Sequence, residues 1–187
     1  LKKVGWDQQI PKELSDEWQH WIKALNNNIT ISIPRSVASG KIIEVELHGF
    51  SDASKLAVCA CIYVVVNNRN RKTSNLLVAK ARIAPKDFSI PRLELVAAHT
   101  LSKLMSHVRK TLMKYNIGGV YNWVESTAVL YWLKEKGSWT QFVRNRVHHI
   151  LKDGEVKWLY VPTKENPSDL GTRGVSPEKL SSLWFNG

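Results

Sequence analysis

Cysteine is nearly absent from this chain: Cys59 and Cys61 are the only two. At i and i+2 on a strand they share a face, which is poor geometry for a disulfide. No His lies close by at zinc-finger spacing, so a disulfide framework and a Cys/His zinc site are both excluded. The expected state is two small buried thiols in a reducing compartment. Long apolar runs are also missing, which excludes a membrane-spanning helix. The opening LKKVGWDQQIPKEL lacks the apolar stretch of a signal peptide. Leu1 stands where an initiator Met would, so a piece of a longer chain is expected. There is no internal repeat and no low-complexity tract. Acidic residues are scarce, 16 against 27 Lys and Arg, for a net charge of +11. That balance favours a polyanionic partner, nucleic acid first, over an anionic membrane surface or a merely basic domain.

What is present suffices for one good core. The chain has 187 residues, 43% of them hydrophobic, and eight Trp, enough for a globular domain with a small appendage. In residues 1–40 the stretch PKELSDEWQHWIKALNN predicts one amphipathic helix, with Pro11 at its first turn and Leu14, Trp18, Trp21, Ile22 and Leu25 on its apolar face. ITISIPRS reads as a connector or short strand. From 41 onward the pattern changes. Ile43, Val45 and Leu47 alternate along a strand ending at Asp52. KLAVCACIYVVV is almost wholly apolar and predicts the central strand. NNRNRKTSN reads as a turn and LLVAKARI as a third strand, completing an antiparallel meander. A long helix follows, opened by Pro91, with Leu93, Val96, Ala97, Leu101, Leu104, Met105, Val108 and Leu112 at helical spacing. Then come a strand over 119–124, a helix from Ser126, a helix in SWTQFVRNRVHHILKD, a strand in VKWLYVP and a tail with one short helix. The order β-β-β-α-β-α-α-β-α implies an α/β fold with a mixed sheet covered on both faces.

Four acids occupy similar places in this order. Asp52 ends the first strand, Glu94 lies in the first turn of the long helix, Glu125 ends the fourth strand, and Asp169 sits in the last short helix. Ligand sites of α/β sheets gather where strands end and helices begin. If the four converge, cations must offset their repulsion, and hard oxygen ligands suit Mg²⁺ or Mn²⁺. Two such ions form a clamp for phosphodiester displacement. Each acid alone has a plainer reading: a turn residue after a strand, an acid near a helix N-terminus, or a cap.

In chain order, HGFSDAS, IPRLEL, the acid-Ser-Thr step of WVESTAVLYWL, FVRNRV and WLYVPTKENPSDLGTRG resemble the RNase H domain of BEL/Pao-type LTR retrotransposon polyproteins. VGWDQQIPKEL resembles the connection segment between reverse transcriptase and RNase H. The resemblance spans essentially the whole chain. It implies a five-stranded mixed sheet with helices on both faces over 41–187, preceded by a connection-like segment over 1–40. It implies an endonuclease that cleaves the RNA strand of RNA–DNA hybrids during retrotransposon reverse transcription, using two Mg²⁺ (or Mn²⁺) ions. The matching acids are Asp52, Glu94, Glu125 and Asp169, as catalytic and metal-binding residues. The partners implied are the hybrid and the reverse transcriptase domain of the same polyprotein, with no membrane. The implied location is intracellular, in the cytoplasm and the retroelement particle.

Three features depart from the family pattern. Glu125 stands where Asp is usual, and its extra methylene carries the carboxylate outward by about a bond length. This motivates a rival reading: an impaired or inactive RNase H-like module that binds nucleic acid or a protein. The loop PTKEN lacks the His that some RNases H carry before the fourth acid. No Tyr-x-Asp-Asp polymerase motif occurs, leaving active element and host-adopted relic both open. An integrase-type reading is disfavoured by the helical Glu94 together with Asp169 as fourth acid. For substrate contacts, Ser54, Arg92, Ser126 and Arg173 are candidates by proximity to the acids. Arg69, Arg71, Lys72, Lys103, Arg109, Lys110 and Lys114 are candidates for tracking phosphates, against the alternative of a solvated basic face. Trp132, Trp158 and Trp184 are expected in the core, and His148 and His149 in structural roles.

Overall fold

In the computed structural model the described residues are 4–25, 30, 32–33, 36, 42–68, 71–134, 137–175, 180 and 182–187. The chain divides into two compact units, Leu1–Ile33 with Val175–Leu180, and Pro34–Gly174 with Ser181–Gly187. In the first unit, helix α1 (Lys12–Leu25) follows Pro11, whose carbonyl accepts from Ser15 N at 3.0 Å. Trp18 and Trp21 stack at 5.3 Å. The expected boundary between 40 and 41, half of the connector before it and Arg69 fall outside the described residues; Thr30, Ser32, Ile33 and Ser36 of the connector lie in neither helix nor strand.

The second unit holds β1 (Glu44–Ala53), β2 (Ala57–Asn68), β3 (Arg71–Ile83), α2 (Ile90–Thr111), β4 (Ile117–Val124), α3 (Thr127–Leu133), α4 (Gln141–Leu151), β5 (Lys157–Tyr160), a 3₁₀ turn (Thr163–Glu165), α5 (Ser168–Arg173) and α6 (Ser182–Asn186). The five strands form one mixed sheet in the order β3-β2-β1-β4-β5. β1–β2 and β2–β3 are antiparallel, and β1–β4 and β4–β5 parallel.

Each element follows from local sequence. β2 is apolar from Ala57 to Val66 because both its faces are covered there. Ala60, Ile62, Val64 and Val66 pack with Leu101, Met105 and Val108 of α2 in the main core. The alternate residue Cys59 meets α5, where a Cβ on Gly171 would lie 2.4 Å from the Cys59 sulfur, so a glycine lets the helix sit this close. Further along that face, the Tyr63 hydroxyl donates to the carbonyl of Trp184 in α6 at 2.7 Å. α2 buries a second stripe, Leu95 and Ala98, against Val129, Val143, Val147 and Ile150 of α3 and α4. Each fully buried leucine contributes about 1.5–3 kcal/mol. Trp132 and Trp158 border these cores; Trp184 is half-buried.

Four sequence expectations are corrected. The central strand is β1, not the more apolar β2, because β1 takes both the hairpin partner and the parallel crossover. The expected turn NNRNRKTSN is mostly strand, with Asn67 opposite Lys72 and Asn68 opposite Arg71; its polarity reports the solvent-facing end of a long hairpin. Glu94 is the fifth residue of α2 and so opens its second turn. The tail carries two short helices, α5 and α6. Both cysteines are free and buried.

Candidate active site

The parallel pairing of β1 and β4 brings the first and third acids together. Ser51 lies opposite Val124 in the register, and Asp52 and Glu125 are the next residue of each chain. α5 packs on β1 and β2 and adds Asp169, its second residue. One oxygen from each of Asp52, Glu125 and Asp169 lies within 4.8 Å of the others. Glu94 is outside this trio, but it is buried, 9% exposed, and close enough to feel the charges of Asp52 and Glu125.

Burial and like charge dominate the electrostatics. Asp52 is 5% exposed. Desolvation pushes its carboxyl above the usual range, the Thr172 hydroxyl pulls it back, and the charges of Glu125 and Asp169 raise it further. Glu94 is pushed up to about 8, first by burial and then by the charges of Asp52 and Glu125. Cys59, across the hairpin from Asp52, is held as a neutral thiol by burial, which raises it to about 12. A neutral thiol is no metal ligand, so the donors here are hard carboxylate oxygens. Carboxylates clustered so that their charges raise the pKa of Asp52 and Glu94, with no competing soft ligand, make a donor set suited to a hard divalent cation.

Polar neighbours hold the acids in place. The Thr172 hydroxyl donates to Asp52 Oδ2, and Arg173 Nη2 pairs with Asp169 Oδ1 at 2.8 Å. Asn166 is 1% exposed. Its Nδ2 donates to Ser51 O at 3.2 Å and to Glu125 Oε1 at 3.0 Å, while its Oδ1 accepts from Ser168 N at 3.2 Å and Ser168 Oγ at 2.6 Å. All four of its hydrogen-bonding valences are used. Thr163 Oγ1 donates to the other Glu125 oxygen at 2.8 Å. The longer side chain of Glu125 is therefore gripped at both oxygens and still reaches the cluster.

The candidate contact residues separate by role. Ser54 builds the turn after β1, donating to Thr172 O at 2.8 Å and accepting from Leu56 N and Ala57 N at 3.0 and 3.1 Å. Ser126 caps α3, accepting from Val129 N at 3.3 Å. Arg92 is exposed, its guanidinium 5.5 Å from the Phe142 ring centroid. Arg173 pairs with Asp169 yet is 65% exposed. Of the phosphate-tracking candidates, Arg109 is committed to Asp153 and Glu155, and Lys72 to Glu46 at 3.1 Å. Arg71, Lys103, Lys110 and Lys114 are exposed. His149 meets His99 edge-on at 4.6 Å, and His148 is exposed. Sequence reasoning missed Asn166, Thr163 and Thr172. Thr172 carried a signal, since it stands three residues after Asp169 and so on the same helix face. Asn166 and Thr163 carried none beyond their position in the quoted loop.

A 3-2-1-4-5 mixed sheet with carboxylates at the ends of its two parallel central strands defines an RNase H-like domain. The chain belongs to the Pao retrotransposon-like RNaseH-like domain family, whose profile matches residues 1–126. Asp52, Glu94 and Glu125 lie within that match, and Asp169 beyond it. Among solved structures it is similar to an RNase H1 isolated from compost by a metagenomic approach, at 11% identity over 75% of this chain and 100% of that one, TM-score 0.41. It is similar to the N-terminal RNase H domain of a Mycobacterium tuberculosis protein, at 10% identity over 76% and 96%, TM-score 0.43. The foamy viral protease–reverse transcriptase in complex with double-stranded DNA matches at 14% identity over 83% of this chain and 30% of that one, TM-score 0.47. No curated protein matches the sequence. Among the described residues no helix is long and apolar enough to cross a membrane.

Proposed function

We propose that this domain cleaves the RNA strand of RNA–DNA hybrids with Asp52, Glu94, Glu125 and Asp169 as its metal-binding catalytic residues. In this reading it is the ribonuclease of a retroelement polyprotein, fed by the reverse transcriptase domain of that polyprotein inside an intracellular particle. Residues 1–40 are its connection-like lead-in. The observation that carries the reading is the mutual approach of the Asp52, Glu125 and Asp169 oxygens within 4.8 Å, in a chain of net charge +11.

Two Mg²⁺ or Mn²⁺ ions, when bound, would activate the attacking water and stabilise the leaving oxygen. The protein's part is to place their ligands. Asn166 and Thr163 fix the Glu125 carboxylate, and Thr172 fixes that of Asp52. Glu94, with a pKa of about 8, holds a proton at neutral pH and would have to release it to serve as a ligand, which would couple ion uptake to proton release. Arg92 and Arg173 supply exposed cations for backbone phosphates, while Ser54 and Ser126 secure the backbone beside Asp52 and Glu125.

The test is cleavage of an end-labelled RNA–DNA hybrid in Mg²⁺, Mn²⁺ and EDTA, for wild type and Glu125→Asp. Cleavage of the RNA strand only with a divalent ion, changed less than about tenfold by Glu125→Asp, is expected. No cleavage with either metal overturns the catalytic reading. A gain on the order of a hundredfold in Glu125→Asp, the scale of a 1 Å misplacement, would identify an impaired site and favour the inactive module.

A further inference from the structure

Farther along the helix that carries Glu94 lies a groove of about 510 Å³ with basic walls. Lys80 and Arg82 come from β3, His99, Lys103 and His107 from α2, and Arg146 from α4. The arrangement has a simple origin. Lys80 and Arg82 are two apart, so they share one face of the strand. They pair with Ala60 and Val58, and Ala60 belongs to the core shared with α2. His99, Lys103 and His107 are spaced by four, forming one stripe on the helix.

No carboxylate lines this groove. Among the described residues, none of Lys80, Arg82, Lys103 and Arg146 forms an ion pair, whereas Lys72, Arg109 and Arg173 each do. Arg146 Cζ lies 3.6 Å from the Phe142 ring centroid, and its Nη1 donates to Phe142 O at 3.1 Å. Its Nε is buried without a partner, as is His149 Nδ1 beside His99. His99 is pushed down to about 4 by burial and then by the charges of Lys103, His149 and Arg146. Unpaired cations and the orphaned Arg146 Nε around one groove are costly unless an anion with several acceptor oxygens meets them. Solvated surface lysines do not account for the buried Arg146 Nε.

We infer that this groove grips the phosphodiester backbone of a nucleic-acid duplex, at a place separate from the carboxylates. Lys103 is nine residues beyond Glu94 on α2, which at about 1.5 Å per residue is ~14 Å along the helix. Nine residues make about two and a half turns, so Lys103 and Glu94 leave α2 on opposite sides, and the groove is a site of its own, not an extension of the carboxylate cluster. The inference rests on the proposed function in one respect, that the duplex is an RNA–DNA hybrid.

The test is fluorescence anisotropy of a labelled RNA–DNA hybrid with the full chain in EDTA, between about 50 and 200 mM salt. Wild type is compared with Arg82→Glu/Lys103→Glu, and with Lys23→Glu/Lys157→Glu as a control of equal charge change. The groove pair is expected to weaken binding on the order of tenfold and to flatten the slope of log K against log salt by about two, the value for two lost phosphate contacts. The control is expected to stay within about twofold of wild type. If the charge-reversed pair does not fold, as judged by far-UV circular dichroism, Arg82→Gln/Lys103→Gln is used, with about half the loss expected. Equal loss in groove and control pairs, unchanged affinity in the groove pair, or no salt-sensitive binding by wild type overturns the inference. So does a shift of the His99 and His107 ring resonances by inorganic phosphate that the hybrid does not reproduce. Because no metal is present, groove-dependent binding without cleavage in the metal assay would sink the catalytic reading alone.

Discussion

The two ends of α2 make opposite use of charge. At its N-terminal end Glu94 is buried beside Asp52, and carboxylates from β1, β4 and α5 close in on one point. Later turns carry His99, Lys103 and His107 into a groove walled by Lys80, Arg82 and Arg146, without an acid in the lining. Each region concentrates like charge: the acidic end is offset only where Arg173 pairs with Asp169, and no acid lines the groove. The difference lies in what holds them. The acids are clamped by dedicated donors, Thr172, Asn166 and Thr163. The cations are mostly exposed and, among the described residues, free of ion pairs. A rigid anionic site suits ions that demand fixed ligand geometry. A looser cationic one suits a flexible, repetitive polyanion whose binding is electrostatic.

Kinetics offers the sharpest way to break this division. Asp52→Asn is expected to lower kcat for hybrid cleavage more than about a hundredfold, the cost of a misplaced or missing reacting group, with KM within about twofold of wild type. The groove pair is expected to do the reverse, raising KM on the order of tenfold and sparing kcat. If both variants act on the same constant, the two ends of α2 are not functionally distinct.

A second prediction concerns the clamp. Asn166→Ala strands Ser51 O, Glu125 Oε1 and Ser168 without their partners. Loss of a buried, fully bonded amide is expected to cost about 2 kcal/mol or more. In a domain of this size that is a fall in Tm of at least about 4 °C by thermal melting. Cleavage should fall as well, because Glu125 keeps only its bond from Thr163. A variant as stable and active as wild type would show that Glu125 does not depend on this support.

A third prediction is a pH dependence at the acidic end. Glu94 has a folded pKa of about 8 against an ordinary value of 4.5. The folded state therefore binds the proton more tightly than the unfolded chain. Its contribution to stability is fully present below about 4.5 and is lost as the pH rises towards about 8. Thermal melts in EDTA should show this decline, Mg²⁺ should reverse it at the alkaline end, and Glu94→Gln should flatten it. A metal-free Tm whose change between about pH 6.5 and 8 is the same in Glu94→Gln as in wild type would contradict the burial of Glu94.

Several of these features were legible in the chain. Alternation marked β1, helical spacing marked α2, and the jump from apolar to acidic residues marked Asp52 and Glu125, because periodicity and strand ends are local properties. The long polar hairpin around Asn68 and Arg71 was not legible, since polarity signals exposure and does not separate a turn from a solvent-facing strand end. Nor was the centrality of β1, which depends on where the chain goes after it. The extra methylene of Glu125 could be read, but not its accommodation, which depends on Asn166 and Thr163, 41 and 38 residues later.

By itself, then, the sequence determined the elements, the excess of positive charge and the identity of four acids at element ends. Only the tertiary structure decided that three of those acids share one point, and that six basic residues from three elements share one groove. The physical reason is the parallel crossover through α2. It sets β4 beside β1, so Asp52 and Glu125 become neighbours across 73 residues of chain. It also lays α2 along the face of the sheet that β3 shares. Local propensity forms each piece, and the burial of α2's two apolar stripes decides which pieces meet.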